Sequence, residues 1–298
     1  MAGASVLTAT QLAVQPHERS PGYWRSVLKR LTRDKMALGA GVVILTLVCM
    51  ALFGPYLVAA DPYQSSILSR LKPIGSPGFP LGTDELGRDM LSRLIVGARL
   101  SLFIGLTPVI FAFVIGSLIG LLAGYAGGWV NSAIMRTIDV FYAFPSVLLA
   151  IALSGALGAG IFNSLISLTI VFIPPIARVA ESVTTQVRMR DYVESARATG
   201  ANAFTIVRVH VLGNVLGPIF VYATSLIAVS MILASGLSFL GLGVKPPEPE
   251  WGLMLNTLRT AIYTQPWVAA LPGAMIFITS IAFNMLSDSL RAAMDNKR

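Results

Sequence analysis

Five stretches of this chain contain no Asp, Glu, Lys or Arg at all: residues 36–60, 100–135, 140–177, 209–244 and 260–287. About 20 apolar residues carry a helix across the hydrocarbon core, and a backbone in lipid must satisfy its own hydrogen bonds, so these runs read as membrane helices. The run 140–177 is too long for one crossing, and its glycine-rich centre, Gly155-Ala-Leu-Gly158-Ala-Gly160, reads as a hairpin between two short helices. The expected fold class is therefore all-α, a polytopic membrane protein with six transmembrane helices. Composition agrees: charged residues make up 12%, against about 25% for soluble domains, and the mean hydropathy is +0.73.

An even number of spans puts both termini on one side, and the basic residues say which. Arg19, Arg25, Lys29, Arg30, Arg33 and Lys35 precede the first run, Arg178, Arg188, Arg190, Arg197 and Arg208 lie in the central polar segment, and Arg136, Arg291, Lys297 and Arg298 share their face. The positive-inside rule makes that face cytoplasmic. The net charge of +8 is thus a topology signal and an attraction to anionic lipid. It lacks the aromatic interleaving expected for nucleic acid. The organisation expected is a partly disordered N-terminal tail (1–35), a first span (36–60), and an external loop with an amphipathic helix (61–99). A core of five spans (100–290) follows, containing a cytoplasmic loop (178–213), and then a cytoplasmic C-terminal tail (291–298).

Two chemistries are thin. The single cysteine, Cys49, allows no disulfide within the chain and reads as a small packing residue in the first span. No phosphate-binding Gly-x4-Gly-Lys-Ser/Thr loop and no His-Glu-x2-His pair occurs, and the two histidines are His17 and His210. No catalytic residue, bound cofactor or metal site is expected in this chain. Energy for any transport must then enter through a partner.

The segment 181–210 is the candidate port, being polar and bounded by apolar runs. Asp191 and Glu194 are spaced as N-cap and N3 of a short helix starting at Tyr192, Gly200 as its left-handed C-cap. Asn202 is placed to cap a second short helix through Phe204, Ile206 and Val207 toward Leu212. Two short helices and a bend are predicted.

At these residues the chain resembles the membrane-spanning subunits of ABC importers, whose cytoplasmic loop carries Glu-Ala-Ala, three residues, then Gly; here Glu194-Ser195-Ala196 and Gly200. The matching downstream stretch, His210-Val-Leu212-Gly213, has Gly213 where the family has proline. The resemblance implies that Asp191, Tyr192, Glu194, Ser195, Ala196, Arg197, Gly200, Ala201 and Phe204 couple the subunit to an ATPase.

Leu81-Gly-Thr83-Asp84-Glu85-Leu-Gly87-Arg88-Asp89, Leu237-Ser-Phe239-Leu-Gly241-Leu-Gly243-Val-Lys-Pro246-Pro247 and Ala282-Phe283-Asn284-Met-Leu286-Ser-Asp288 resemble the second, C-type, permeases of dipeptide, oligopeptide and nickel importers. The match runs from about Trp24 onward. It implies the type I importer permease fold and a homologous second permease as partner. It also implies two ATPases that bind ATP and Mg, and an extracytoplasmic binding protein. Peptide is the first substrate expected, with nickel, glutathione or opine-like conjugates as alternatives. Ala234 stands where relatives often carry an acid, and Ser287 and Ser289 replace glycines.

Several residues carry expectations of their own. Leu86, Met90, Leu91, Leu94 and Ile95 have the spacing of one helical face, read as an external amphipathic helix. Gly116, Gly120 and Gly124 form a small-residue ridge for close helix approach, and Pro108 in the same span reads as a kink. Trp251 suits the membrane interface. Gly241 and Gly243 permit unwinding of the fifth span, and with Ser238 and Phe239 are assigned to the translocation path. Arg136 and Asp139 are spaced to pair on one helical turn, as a gate or as a structural pair. A proton-coupled transporter or channel without ATPases is the rival, and it predicts an intramembrane carboxylate or histidine relay. A membrane scaffold is the third reading.

Overall fold

A computed structural model describes residues 23–294. The expectations for the first 20 residues and the extreme C-terminus, including Arg19, His17, Lys297 and Arg298, lie outside those residues. Helix α1 (Tyr23–Leu31) leads into α2 (Lys35–Leu57), α3 (Met90–Ala126), α4 (Gly128–Tyr142), α5 (Ser146–Leu157) and α6 (Ile161–Arg188). Then come α7 (Asp191–Ala198), α8 (Ala203–Ile206), a π-helical turn (Val207–Val211), α9 (Leu212–Phe239), α10 (Trp251–Thr257) and α11 (Pro266–Met294).

Five of these rods are long and apolar enough to cross a membrane, α8 through α9 counting as one, and the pair α4–α5, bent by 86°, makes a sixth when counted as one broken span. Hydrogen bonds between loops place the ends. Arg188 Nη1, at the end of α6, donates to the Tyr125 carbonyl at the end of α3 (3.0 Å), so α4 departs from the face that carries α7. On the opposite face the Gly160 amide donates to the Leu242 carbonyl (3.2 Å), tying the α5–α6 turn to the end of α9. Arg30 Nη1 donates to the Ala293 carbonyl (3.3 Å), which brings both ends of the described chain to one face. An even number of crossings follows.

The run 100–135 is divided differently from the sequence reading. Gly127 and Gly128 both have positive φ (68° and 51°) and end α3 before Met135. At its other end α3 begins at Met90, where Asp89 accepts from the Ser92 amide (2.8 Å), and it continues through Pro108. Its 37 residues extend about 55 Å, well beyond a hydrocarbon core of roughly 30 Å. The residues expected to form an external amphipathic helix are thus, from Met90 on, the first turns of α3. Met90 and Leu94 are buried in the projecting first turns of α3, while Leu86 lies exposed in the preceding loop.

That loop is held by its own motif. The Thr83 hydroxyl donates to the Ser69 carbonyl and accepts from the Lys72 amide. Asp84 accepts from the amides of Leu86 and Arg88 (2.9 Å each), pairs with Arg88 Nε (2.6 Å) and meets Arg93 Nε at 3.4 Å. Arg93 reaches on to the Pro62 carbonyl (2.9 Å). Buried charges persist only when paired in this way.

Two apolar clusters form the core. One joins α3, α5, α6 and α9 around Leu168, Ile176 and Ile219. The other joins α2, α3, α9, α10 and α11 around Met90, Met231 and Trp251. The ridge of Gly116, Gly120 and Gly124 packs on α6: a Cβ on Gly120 meets the Ala180 Cβ at 2.5 Å and one on Gly124 meets the Glu181 carbonyl at 2.7 Å. Trp251 is fully buried, its Nε1 donating to the Leu94 carbonyl (3.0 Å), so it is a core anchor rather than an interface residue. Cys49 is exposed on α2 rather than packed.

Candidate functional site

Helix α7 begins one residue earlier than its sequence suggests. Arg190 is the N-cap, in extended conformation (φ −80°, ψ 144°), and makes no side-chain cap bond. Asp191 is thus the first helical residue, and with Glu194 it places negative charge in the first turn, where the helix dipole favours it. The end is as the sequence predicts. Gly200 has φ +86°, and the Ala201 amide reaches back to the Ala196 carbonyl (3.1 Å), closing the helix through a left-handed residue. Asn202 then caps the next helix, its Oδ1 accepting from the Thr205 amide (2.8 Å).

The second short helix is not separate. From Ala203 the chain runs through α8 and the π turn straight into α9. Gly213 lies inside that rod with open space around it, so the missing proline leaves the helix uninterrupted.

Two buried side chains, Val193 on α7 and Ile206 on α8, fasten this segment to the core. Ala196 and Ala201, half-buried, also pack against the core, while Asp191, Glu194, Ser195, Arg197 and Gly200 are exposed, Tyr192 is 44% exposed and Phe204 72%. The Tyr192 ring lies 6.3 Å from that of His210. The segment thus presents an exposed phenylalanine beside mixed charges, held by two buried anchors. It joins the end of α6 to the start of α9, so a push on it acts on both.

The residues assigned from the sequence to a path or gate fall in three places. Arg136 and Asp139 are both exposed on α4 and do not pair with each other; Asp139 pairs with Arg178 of α6. The Arg178 guanidinium also lies 5.8 Å from the centre of the Tyr142 ring. Beside the α4–α5 bend is a cavity of about 310 Å³, with Tyr142, Phe144 and Pro175 on one side and Tyr222 and Leu226 on the other. Ser238 and Gly243 are buried against each other at the end of α9, the Val244 amide donating to Ser238 Oγ at 3.4 Å. Gly241 (φ +79°) lies in the turn just after the helix ends. Phe239 faces a different cavity, of about 510 Å³, between α9 and α11.

Sequence reasoning passed over several polar residues. Glu181 accepts from Asn131 Nδ2 (2.7 Å), joining α6 to α4. Ser287 Oγ donates to the Val221 carbonyl (3.3 Å) and accepts from Thr224 (3.2 Å), so a residue noted as a departure from the family pattern ties α11 to α9. Glu250 is 2% exposed and caps α10, accepting from the amides of Gly252 and Leu253 (2.8 Å each). Burial pushes its carboxyl above the ordinary range, against those two bonds. Burial first, then the bond to Glu248, raises the Tyr63 hydroxyl. The Ser289 hydroxyl, then the Met36 amide, lowers Asp34. A titratable group buried beyond the end of a span is legible in the sequence only as a charge following Pro249. Among the described residues no three His, Cys, Asp or Glu side chains converge as metal ligands.

Residues 116–298 match the family described as binding-protein-dependent transport system inner membrane component. Residues 22–73 match the N-terminal transmembrane domain of oligopeptide transport permease C. The chain is 42% identical to a glutathione transport system permease protein of Pectobacterium atrosepticum, over 92% of this chain and 91% of that one. It is 41% identical to a di/tripeptide transport system permease protein of Pseudomonas aeruginosa, over the same shares. Among solved structures, an inward-facing MetNI methionine ABC transporter has a similar fold, with a TM-score of 0.57 at 20% identity over 68% of this chain and 97% of that one.

Proposed function

Because the chain belongs to the binding-protein-dependent inner-membrane transport components, the permease subunits of ABC importers, we propose that it is the C-type permease of an ATP-driven importer of di- and oligopeptides. Glutathione, itself a tripeptide, falls within the same reading, which the names of the two relatives support. A second, homologous permease completes the path, two ATPases supply energy by binding ATP and Mg, and an extracytoplasmic binding protein delivers the substrate. This chain binds no nucleotide and catalyses no reaction. Both termini and α7 are cytoplasmic.

The observation that carries this reading is the α7–α8 segment on its two buried anchors, Val193 and Ile206, with an outward face of Asp191, Tyr192, Glu194, Arg197 and Phe204. Closure of the ATPases moves α7, and the motion passes into α6 and α9, the two helices that flank the cavity at the α4–α5 bend. Asp139, Arg178 and Tyr142 lie next to that cavity and control its opening toward the cytoplasm.

Replacing Glu194 with Ala, or Gly200 with Val, tests the coupling. Nothing crowds the space around Gly200, so Gly200→Val acts through the positive φ alone, a cost of about 1–2 kcal/mol that loosens the end of α7. Peptide uptake is expected to fall at least severalfold with unchanged amounts of the subunit in the membrane. Uptake at the wild-type rate in both variants would sink the assignment.

A further inference from the structure

On the face opposite α7, the chain leaving α2, the start of α3 and residues 248–249 line a cavity of about 680 Å³. It is separate from the coupling segment and from the cavity at the α4–α5 bend. Its apolar part is formed by Val58, Val96, Leu100 and Ile161, and its charged part by Asp61, Arg99 and Glu248.

Each of the three charges has capacity to spare. Among the described residues the Arg99 guanidinium meets no carboxylate. Glu248 accepts from the Tyr63 hydroxyl through one oxygen (3.0 Å), and Asp61 accepts from the Tyr63 amide through one oxygen (2.8 Å), which leaves the second oxygen of each. The position is that of a membrane boundary. Pro55 and Val58, at the end of the α2 span, line the cavity, and beside them Phe53, Tyr56 and Leu57 are 57%, 87% and 76% exposed. A ligand held by the charges therefore has an apolar helix face running away from it into the bilayer.

We propose that this cavity binds the headgroup of a zwitterionic phospholipid carrying a primary ammonium, of the phosphatidylethanolamine type, with its acyl chains along α2. The ammonium lies between Asp61 and Glu248, whose free oxygens accept its N–H donors. The phosphate lies on Arg99, a guanidinium suited to two of its oxygens. Two carboxylates against one cation disfavour an anionic headgroup. A choline headgroup presents no N–H donors to them. The assignment does not depend on which face of the membrane is external.

The test is native mass spectrometry of the full chain, purified with its partner subunits in detergent. It is titrated with phosphatidylethanolamine, phosphatidylcholine and phosphatidylglycerol of identical chains. Phosphatidylethanolamine is expected to be retained about tenfold better than either other lipid, and Arg99→Gln or Glu248→Gln to remove most of that preference. Arg70→Gln, at an exposed loop position outside the cavity, is expected to leave it intact. Ala59→Trp fills the exposed rim without touching the core, and it is expected to abolish the preference even if a charge variant fails to insert. Equal retention of the three lipids, or a preference that survives Ala59→Trp, overturns the proposal. Displacement by glycerophosphoethanolamine at the lipid's own concentration also overturns it, by assigning the cavity to a soluble zwitterion.

Discussion

Glu250 shows how a single side chain outside the spans can tie stability to pH. It is buried at the start of α10, and its carboxyl is harder to ionise than an open glutamate, whose ordinary value is 4.5. A group that holds its proton more tightly in the folded chain contributes stability that is complete below the unfolded value and is lost as pH rises through the folded one. The thermal midpoint of the detergent-solubilised protein should therefore gain, relative to Glu250→Gln, as pH falls from neutral toward 4.5. Parallel midpoints for the two proteins across that range would contradict it. At this scale the sequence is readable wherever the chemistry is local. Gly200 and Asn202 act on backbone within four residues of themselves and stand where expected, whereas Asp191, expected as the cap of α7, lies inside its first turn behind Arg190. Trp251 was not readable in this way, because its burial under Leu94 comes from α3, more than 150 residues away.

Between elements, glycine spacing sets how closely α3 and α6 approach. Leucine at Gly120 must displace the Ala177 carbonyl and Ala180, overpacking that costs about 1–3 kcal/mol or more. Gly120→Leu should lower the amount of protein in the membrane and its thermal midpoint. Gly155→Leu, into open space on α5, should leave both near wild type. The ridge was legible because four-residue spacing on a helix is a face. The fusion of the external turns with the second span was not: no proline separates Met90 from Leu100, but an apolar-run criterion stops at Arg99. The Asp139–Arg178 pair belongs to this scale also. Both side chains are about half exposed, so the pair is worth at most about 1 kcal/mol to stability, and its effect should appear in transport. Asp139→Arg and Arg178→Asp should each reduce uptake, and the double exchange should restore part of it. A double variant no better than the worse single one would remove the pair from any gating role.

The whole molecule is a bundle whose first and last described helices meet on one face, with α7 on that face and the Thr83–Asp89 loop on the other. In a Cys49→Ser background, a membrane-impermeant thiol reagent added to intact cells should label Ile74→Cys, and label Thr199→Cys only after the membrane is opened. Both positions are exposed. The reverse pattern would invert the orientation. That the chain crosses a membrane as helices, and the cap at Asn202 and the turn at Gly200, were determined by the sequence alone, since partition into lipid and backbone capping depend on residues close together in the chain. Which partners the polar groups take was decided by the tertiary structure. Asp139 was expected to find Arg136 three residues away, yet it meets Arg178 on another helix, and Glu250, Trp251 and Ser287 each act on segments distant in sequence. Inside a bundle an unpaired polar group is costly, and the helix that supplies its partner is chosen by how the rods pack.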